Sequence, residues 1–245
     1  MGFDTRYWGP SGWELFHLIA FKSTNPEKIL EMMKDILPCK FCRESTAQYV
    51  KELPLKGDPG KWLYDIHNKV NHKLRSQCVD DPLVINPGPD PSFEEIKQRY
   101  DSLKPSKVPG RDFLFSIASN YPDIPLQEQK EVQQKFLLAL SEKYPFKSLQ
   151  ETFKKYITDT QPNLENQKTY MKWMYDLLKK LSEKIHAKIP SYKDYVQEVM
   201  YYKSGCSKKS YKGKTCRNKV GGKRKRDYKR TRRIVCKNLL ICVSK

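Results

Sequence analysis

No run of about 20 apolar residues, the length that spans a bilayer, occurs in the 245 residues, so no membrane helix is expected. Stretches of alternating β-branched residues are also missing, which argues against a sheet and leaves an all-α reading. The opening Met1-Gly-Phe-Asp-Thr-Arg-Tyr-Trp8 has no apolar core of a secretory signal, so a reducing compartment is the expected location. Cysteine is sparse. Of seven, only Cys39, Cys42 and Cys78 precede residue 203, too few for a disulfide-stapled scaffold. Residues 1–202 hold no second CxxC and no HxxxH. A four-ligand zinc site therefore lacks donors, and no metal is expected.

Acidic residues are nearly absent from the end of the chain. Residues 203–245 carry 17 Lys and Arg against one acid, Asp227, whereas residues 1–202 carry 30 against 27. Most of the formal net charge of +19 therefore sits in a basic tail. It includes the run Gly221-Gly-Lys-Arg-Lys-Arg226. Three readings stay open for it: contact with nucleic acid, a nuclear-localisation-like segment, and a solubilising segment without fixed structure. Its Cys206, Cys216, Cys236 and Cys242 are candidates for an electron shuttle, although their spacings are not CxxC.

The body reads as helices. Trp13, Phe16, Ile19 and Ala20 form an apolar stripe. Ile29, Met32, Met33 and Ile36 predict a second helix, broken at Pro38, and a third starts there with Cys42 and Tyr49. Trp62, Leu63, Ile66, Val70 and Leu74 follow the helical period in a fourth. Asp80 to Pro91 is a loop rich in Pro, Gly and Asp. Ser92, with Glu95 three residues on, predicts a capping box for a short fifth helix. The second half repeats four blocks of the first in the same order. Gly12–Ala20 aligns with Gly110–Ala118 and Leu37–Ser45 with Tyr144–Thr152. Trp62–Ile66 aligns with Trp173–Leu177 and Pro91–Phe93 with Pro190–Tyr192. Two unrelated amphipathic stretches are the plainer alternative. In the second half the chemical residues are gone: Cys39 and Cys42 become Phe146 and Leu149, and His67, Asn68 and Asn71 become Leu178, Lys179 and Ser182. The expected units are residues 1–104, a degenerate second bundle at 105–202, and the tail 203–245.

Cys39-Lys-Phe-Cys42 at a helix start is the strongest chemical signal. Backbone N–H groups and the helix dipole favour a thiolate there. Half of a zinc site and two idle thiols are the competing readings. His67, Asn71 and Leu74 share a helix face beside Asn68, and buried amides and imidazoles need partners. A polar ligand or a solvated face would each explain them. Trp13 and His17, four residues apart, share a face on which an aromatic ring can lie, although Trp13 alone fits a core role equally well.

Taken together, Trp8-Gly-Pro-Ser-Gly-Trp13, His17, Pro38-Cys-Lys-Phe-Cys42, Trp62 and His67-Asn-Lys-Val-Asn71 with Lys73 resemble the Erv/ALR family of FAD-linked sulfhydryl oxidases over about residues 6–104. The resemblance implies a four-helix bundle plus a short fifth helix that holds FAD. It implies Cys42 against the flavin, with Cys39 the more exposed partner. It also implies FAD contacts from Trp13, His17, His67, Asn68, Asn71 and Lys73. A dithiol protein, with a thioredoxin-like carrier as one candidate, would be oxidised through the Cys39–Cys42 disulfide, and oxygen would become hydrogen peroxide. Short WGP-start forms are similar to those of large DNA viruses, which implies a viral protein in cytoplasmic factories or the virion. Many relatives have a cysteine where Tyr64 stands, so Cys78 is expected to be a free thiol. The second half resembles the pseudo-domain of quiescin-type oxidases, which implies a monomer with an internal pseudo-dimer. The rival is a helical nucleic-acid-binding protein with an incidental CxxC.

Overall fold

The computed structural model of the chain describes residues 2–81 and 84–204. The tail cysteines and the basic run Gly221–Arg226 lie outside the described residues. Strand β1 (Gly2–Phe3) leads into α1 (Thr5–Lys22), whose first turn is capped by Asp4, the Arg6 N–H donating to its Oδ1 at 2.9 Å. The short helices α2 (Glu27–Glu31) and α3 (Met33–Ile36) follow. The single helix expected here is thus divided at Met32, where the chain turns so that Ile29, Leu30, Met33 and Ile36 all reach the core.

Helix α4 (Lys40–Glu52) begins after Pro38 with Cys39 as its N-cap. Helix α5 (Pro59–Cys78) has the preferred start, Asp58 as cap and Pro59 in the first turn. Helix α6 (Phe93–Ser102) opens on the capping box of Ser92 and Glu95 expected from the sequence. The second half then runs through α7 (Arg111–Ser119), α8 (Gln127–Lys143), α9 (Lys147–Asp159), α10 (Gln167–Lys184) and α11 (Tyr192–Tyr201). Strand β2 (Lys203–Ser204) pairs antiparallel with β1, so the all-α expectation misses one two-residue ladder. Period-2 patterning cannot reveal an element of two residues.

The halves share bonds as well as helix order. Trp62 Nε1 donates to the Leu53 carbonyl at 2.7 Å, and Trp173 Nε1 to that of Thr160 at 2.8 Å. The Tyr64 hydroxyl donates to the Pro91 carbonyl at 2.8 Å, and Tyr175 to that of Pro190 at 2.9 Å. Lys61 pairs with Asp65, and Lys172 with Asp176.

Helix α7 packs between α1 and α10. Contact between α1 and α7 depends on glycine. A Cβ on Gly12 would lie 3.2 Å from the Phe113 ring, and one on Gly110 would lie 2.5 Å from Leu15 Cδ2. Gly110 also takes φ +74°, a left-handed value that costs an L-residue about 1–2 kcal/mol. Gly110→Ala should therefore destabilise the protein by at least about 1 kcal/mol, read as a lower urea midpoint at unchanged slope. An unaltered midpoint would show that α1 and α7 can separate freely.

Candidate active site

The turn at Pro38–Cys39 sets the site. The Cys39 carbonyl accepts from the N–H groups of Cys42 at 3.1 Å and Arg43 at 3.0 Å. Its sulfur accepts from the Cys42 N–H at 3.2 Å. The two sulfurs are joined, with Cα atoms 5.1 Å apart. Among the described residues no three His, Cys, Asp or Glu cluster as a metal site, and no helix is long and apolar enough to cross a membrane. The Arg43 guanidinium donates to the Leu37 carbonyl, so a positive charge sits beside the pair.

The expected exposure of the two cysteines is not met. Cys39 is 0% exposed, whereas Cys42 is only partly buried and opens onto a cleft. The cause is β1: the Phe3 N–H donates to the Pro38 carbonyl at 3.1 Å, and Phe3 joins the same core as Leu37 and Cys39. Pairing with β2 and the stacking of Tyr7 on Tyr202, with centroids 4.5 Å apart, hold β1 there.

The cleft is open at its mouth, and α1, α4 and α5 supply most of its walls. Of the expected site residues, Trp13, Cys42, His67, Asn71 and Lys73 line it. His17 and Asn68 do not. Trp13 stacks on His67, with centroids 3.9 Å apart and planes 9° apart, rather than on His17, from which it is 6.0 Å and 40° away. His17 lies deeper, its ring near-parallel to those of Tyr100 and Phe21 with centroids 4.8 and 6.1 Å away, and meets His67 through Nε2···Nδ1 at 3.0 Å. Phe21 and Tyr100 were missed, although Tyr100 lies on the short helix that the capping box announced. The Lys73 ammonium donates to Ser45 Oγ at 2.7 Å, bridging α5 and α4.

Two features indicate space shaped for a ligand. His17 Nδ1 is buried with no partner, a cost that a ligand group could remove. Gly9 sits inside α1 and lines the cleft, yet a Cβ there would meet no protein atom within 4 Å. Glycine inside a helix costs about 1 kcal/mol relative to alanine, so the empty volume is not bought by packing. In the second half the matching space is filled. Phe115, Leu149 and Leu178 are fully buried, and Phe115 stacks on Tyr195 with centroids 4.1 Å apart.

Both histidines are neutral near pH 7. Burial pushes His67 down to about 3, with Asp90 opposing and Arg99 assisting. Burial, His67 and Arg99 push His17 well below its usual value. An unfolded histidine titrates near 6.5, so below that pH the unfolded chain binds the extra protons and stability falls with pH. Each such histidine steepens the fall by up to about 1.4 kcal/mol per pH unit. His17→Phe should flatten the stability profile between about pH 6 and 4, measured by urea unfolding of ligand-free protein. An equal slope in both proteins would mean His17 titrates normally.

The chain matches the Erv1/Alr family over residues 10–87 and again over 112–202. It is 32% identical over 90 residues to the mitochondrial FAD-linked sulfhydryl oxidase ERV1 of Saccharomyces cerevisiae, covering 31% of this chain and 48% of that protein. The chain thus spans about half the length of that relative. No solved structure matches it. With a joined cysteine pair opening onto a cleft in the first matched stretch, and a second stretch matching beyond it, the chain belongs to the Erv1/Alr family.

Proposed function

We propose that the protein is an FAD-dependent thiol oxidase that makes disulfides in protein dithiols through Cys39–Cys42 and passes the electrons to oxygen. The observation that carries this is the joined pair at the start of α4, with Cys42 opening onto the cleft that Trp13, His67, Asn71 and Lys73 line. The unpartnered His17 Nδ1 and the space beside Gly9 fit a polar, planar group. Trp13, His67, Asn71 and Lys73 would hold it, with His17 behind them. Asn68 would contribute from outside the cleft wall.

A substrate thiolate attacks Cys39, forming a mixed disulfide and releasing Cys42 as a thiolate. The second substrate thiol then resolves the mixed disulfide, leaving oxidised substrate and two reduced cysteines. The first turn of α4 stabilises the Cys42 thiolate on the side facing the cleft. FAD bound in the cleft would supply a two-electron acceptor that oxygen reoxidises, with two protons taken up as hydrogen peroxide forms. Since Cys39 is covered, attack requires β1 to lift from Pro38. A two-residue ladder is a low-cost element to open.

Residues 105–202 are read as a degenerate copy that takes the place of a second subunit. Gly12 meets Phe113 while Gly110 meets Leu15, and these residues correspond in the aligned halves. That reciprocity characterises a two-fold interface. Linkage in one chain makes the pairing intramolecular.

Purified protein should be yellow, carry one flavin per chain and scatter light as a monomer. Cys39→Ser and Cys42→Ser should each abolish dithiol-dependent oxygen uptake. Substantial turnover in either would sink the oxidase reading, and two flavins per chain would sink the degenerate-copy reading. Gly9→Ala should separate cofactor space from folding. It should stabilise the flavin-free protein by up to about 1 kcal/mol yet weaken flavin binding. Tighter or unchanged flavin binding would show that the space beside Gly9 is not cofactor space.

A further inference from the structure

One wall of the cleft comes from the segment between α5 and α6, where Ile85, Asn86 and Pro87 line it. Its attachment is specific. Arg75 on α5 donates to the Gly88 carbonyl at 2.8 Å and to both oxygens of Asp90, at 3.0 and 2.7 Å. Asn71, one turn earlier on α5, donates from Nδ2 to the same Asp90 carboxylate at 2.9 Å. One carboxylate therefore ties the segment to two α5 residues. A bidentate Arg–carboxylate pair fixes orientation as well as distance.

The second half lacks this arrangement. Its connection, 185–191, is half as long as the 79–92 connection of the first. Ser182 and His186 stand where Asn71 and Arg75 do, and Ile189 precedes Pro190 where Asp90 precedes Pro91. The Ser182 hydroxyl is buried without a partner. Yet the attachment of the following helix survives, because Tyr175 bonds the Pro190 carbonyl as Tyr64 bonds that of Pro91. Docking the helix therefore does not need the ion pair. The half whose site is filled has lost wall and anchor together.

We propose that Arg75 and Asp90 are positioning residues for the cofactor. Their ion pair holds residues 84–91 as the cleft wall. It also fixes the Asn71 amide with its donor end on Asp90, so that Asn71 presents its carbonyl oxygen to a donor group of the bound flavin. This rests on the FAD reading above. Both side chains keep partial solvent contact, so the anchor also weakens in high salt.

The test uses full-length protein purified with its flavin. FAD release after dilution is followed by recovery of flavin fluorescence. Arg75→Leu and Asp90→Ala should each speed release about ten-fold. Arg75→Lys, which keeps charge but loses the fork, should fall between them and the native protein. The exchanged pair Arg75→Asp with Asp90→Arg should recover slow release. Unfolding temperatures of the flavin-stripped proteins should stay together. Native release rates in both single variants would overturn the inference. So would a loss of flavin-free stability that accounts for the faster release. Native protein without flavin would overturn the FAD reading itself. Flavin-bearing native protein with equally retentive variants would overturn only the positioning role.

Discussion

Two helices approach only as closely as their side chains permit, and α1 and α7 meet at a glycine from each side. Gly12 makes room for Phe113, and Gly110 makes room for Leu15. Ser11 Oγ accepts the Asp112 N–H at 3.2 Å, satisfying one of the orphan donors at the start of α7. These contacts set the rotation of α1 about its own axis. Turning α1 would drive Leu15 into the Gly110 backbone. The opposite side of the helix is thereby set too, and it carries Trp13 and His17 toward α5 and α6. The second half thus helps to orient the aromatic residues at the cleft in the first.

Comparison of the halves separates what the fold requires from what the site requires. The Trp-to-carbonyl and Tyr-to-carbonyl bonds occur in both, so they belong to the bundle. The hydrogen bonds that open α4 recur in α9, where the Leu149 and Gln150 N–H groups reach the Phe146 carbonyl as those of Cys42 and Arg43 reach Cys39, but Phe146 takes φ +69° where Cys39 is extended at −143°. The filling differs as well. Where the first half has imidazoles and an amide around space, the second has Phe115 and Leu178, each fully buried. Burying apolar side chains stabilises a bundle, whereas burying imidazoles costs free energy. The first half bears that cost only around the cleft.

Much of this was legible in the sequence because its signals are local. The cap at Ser92, the period of Trp62 to Leu74 and the CxxC after Pro38 each lie within a few residues, and each fell where expected. Errors arose where distant segments meet. Cys39 is covered by β1, which depends on a partner strand about 200 residues away, and spacing around the CxxC carries no trace of it. Trp13 and His17 share a helix face, but only the fold shows that His67 of α5 stacks on Trp13 and meets His17. Arg75 and Asp90 belong to no motif of the sequence. Only the fold brings them together, across a loop whose length is the visible clue.

The two histidines also constrain each other's chemistry. Their contact, His17 Nε2 to His67 Nδ1, needs one donor and one acceptor, and both rings are neutral. If His17 Nε2 carries the proton, its buried Nδ1 is an acceptor and His67 Nε2 is a donor. If His67 Nδ1 carries it, both outer nitrogens reverse roles. The pair therefore always shows one donor and one acceptor at its outer ends. A ligand group that satisfies His17 Nδ1 selects the tautomer of His67 through the shared bond. Trp13 covers the face of that imidazole and leaves polarity to its edge. Low pKa values are what preserve this linkage. A proton added to either ring would remove an acceptor, and a ring with two donors can no longer report on its partner. Burial thus serves recognition here, because it keeps both rings in the one charge state in which their hydrogen bonds are coupled.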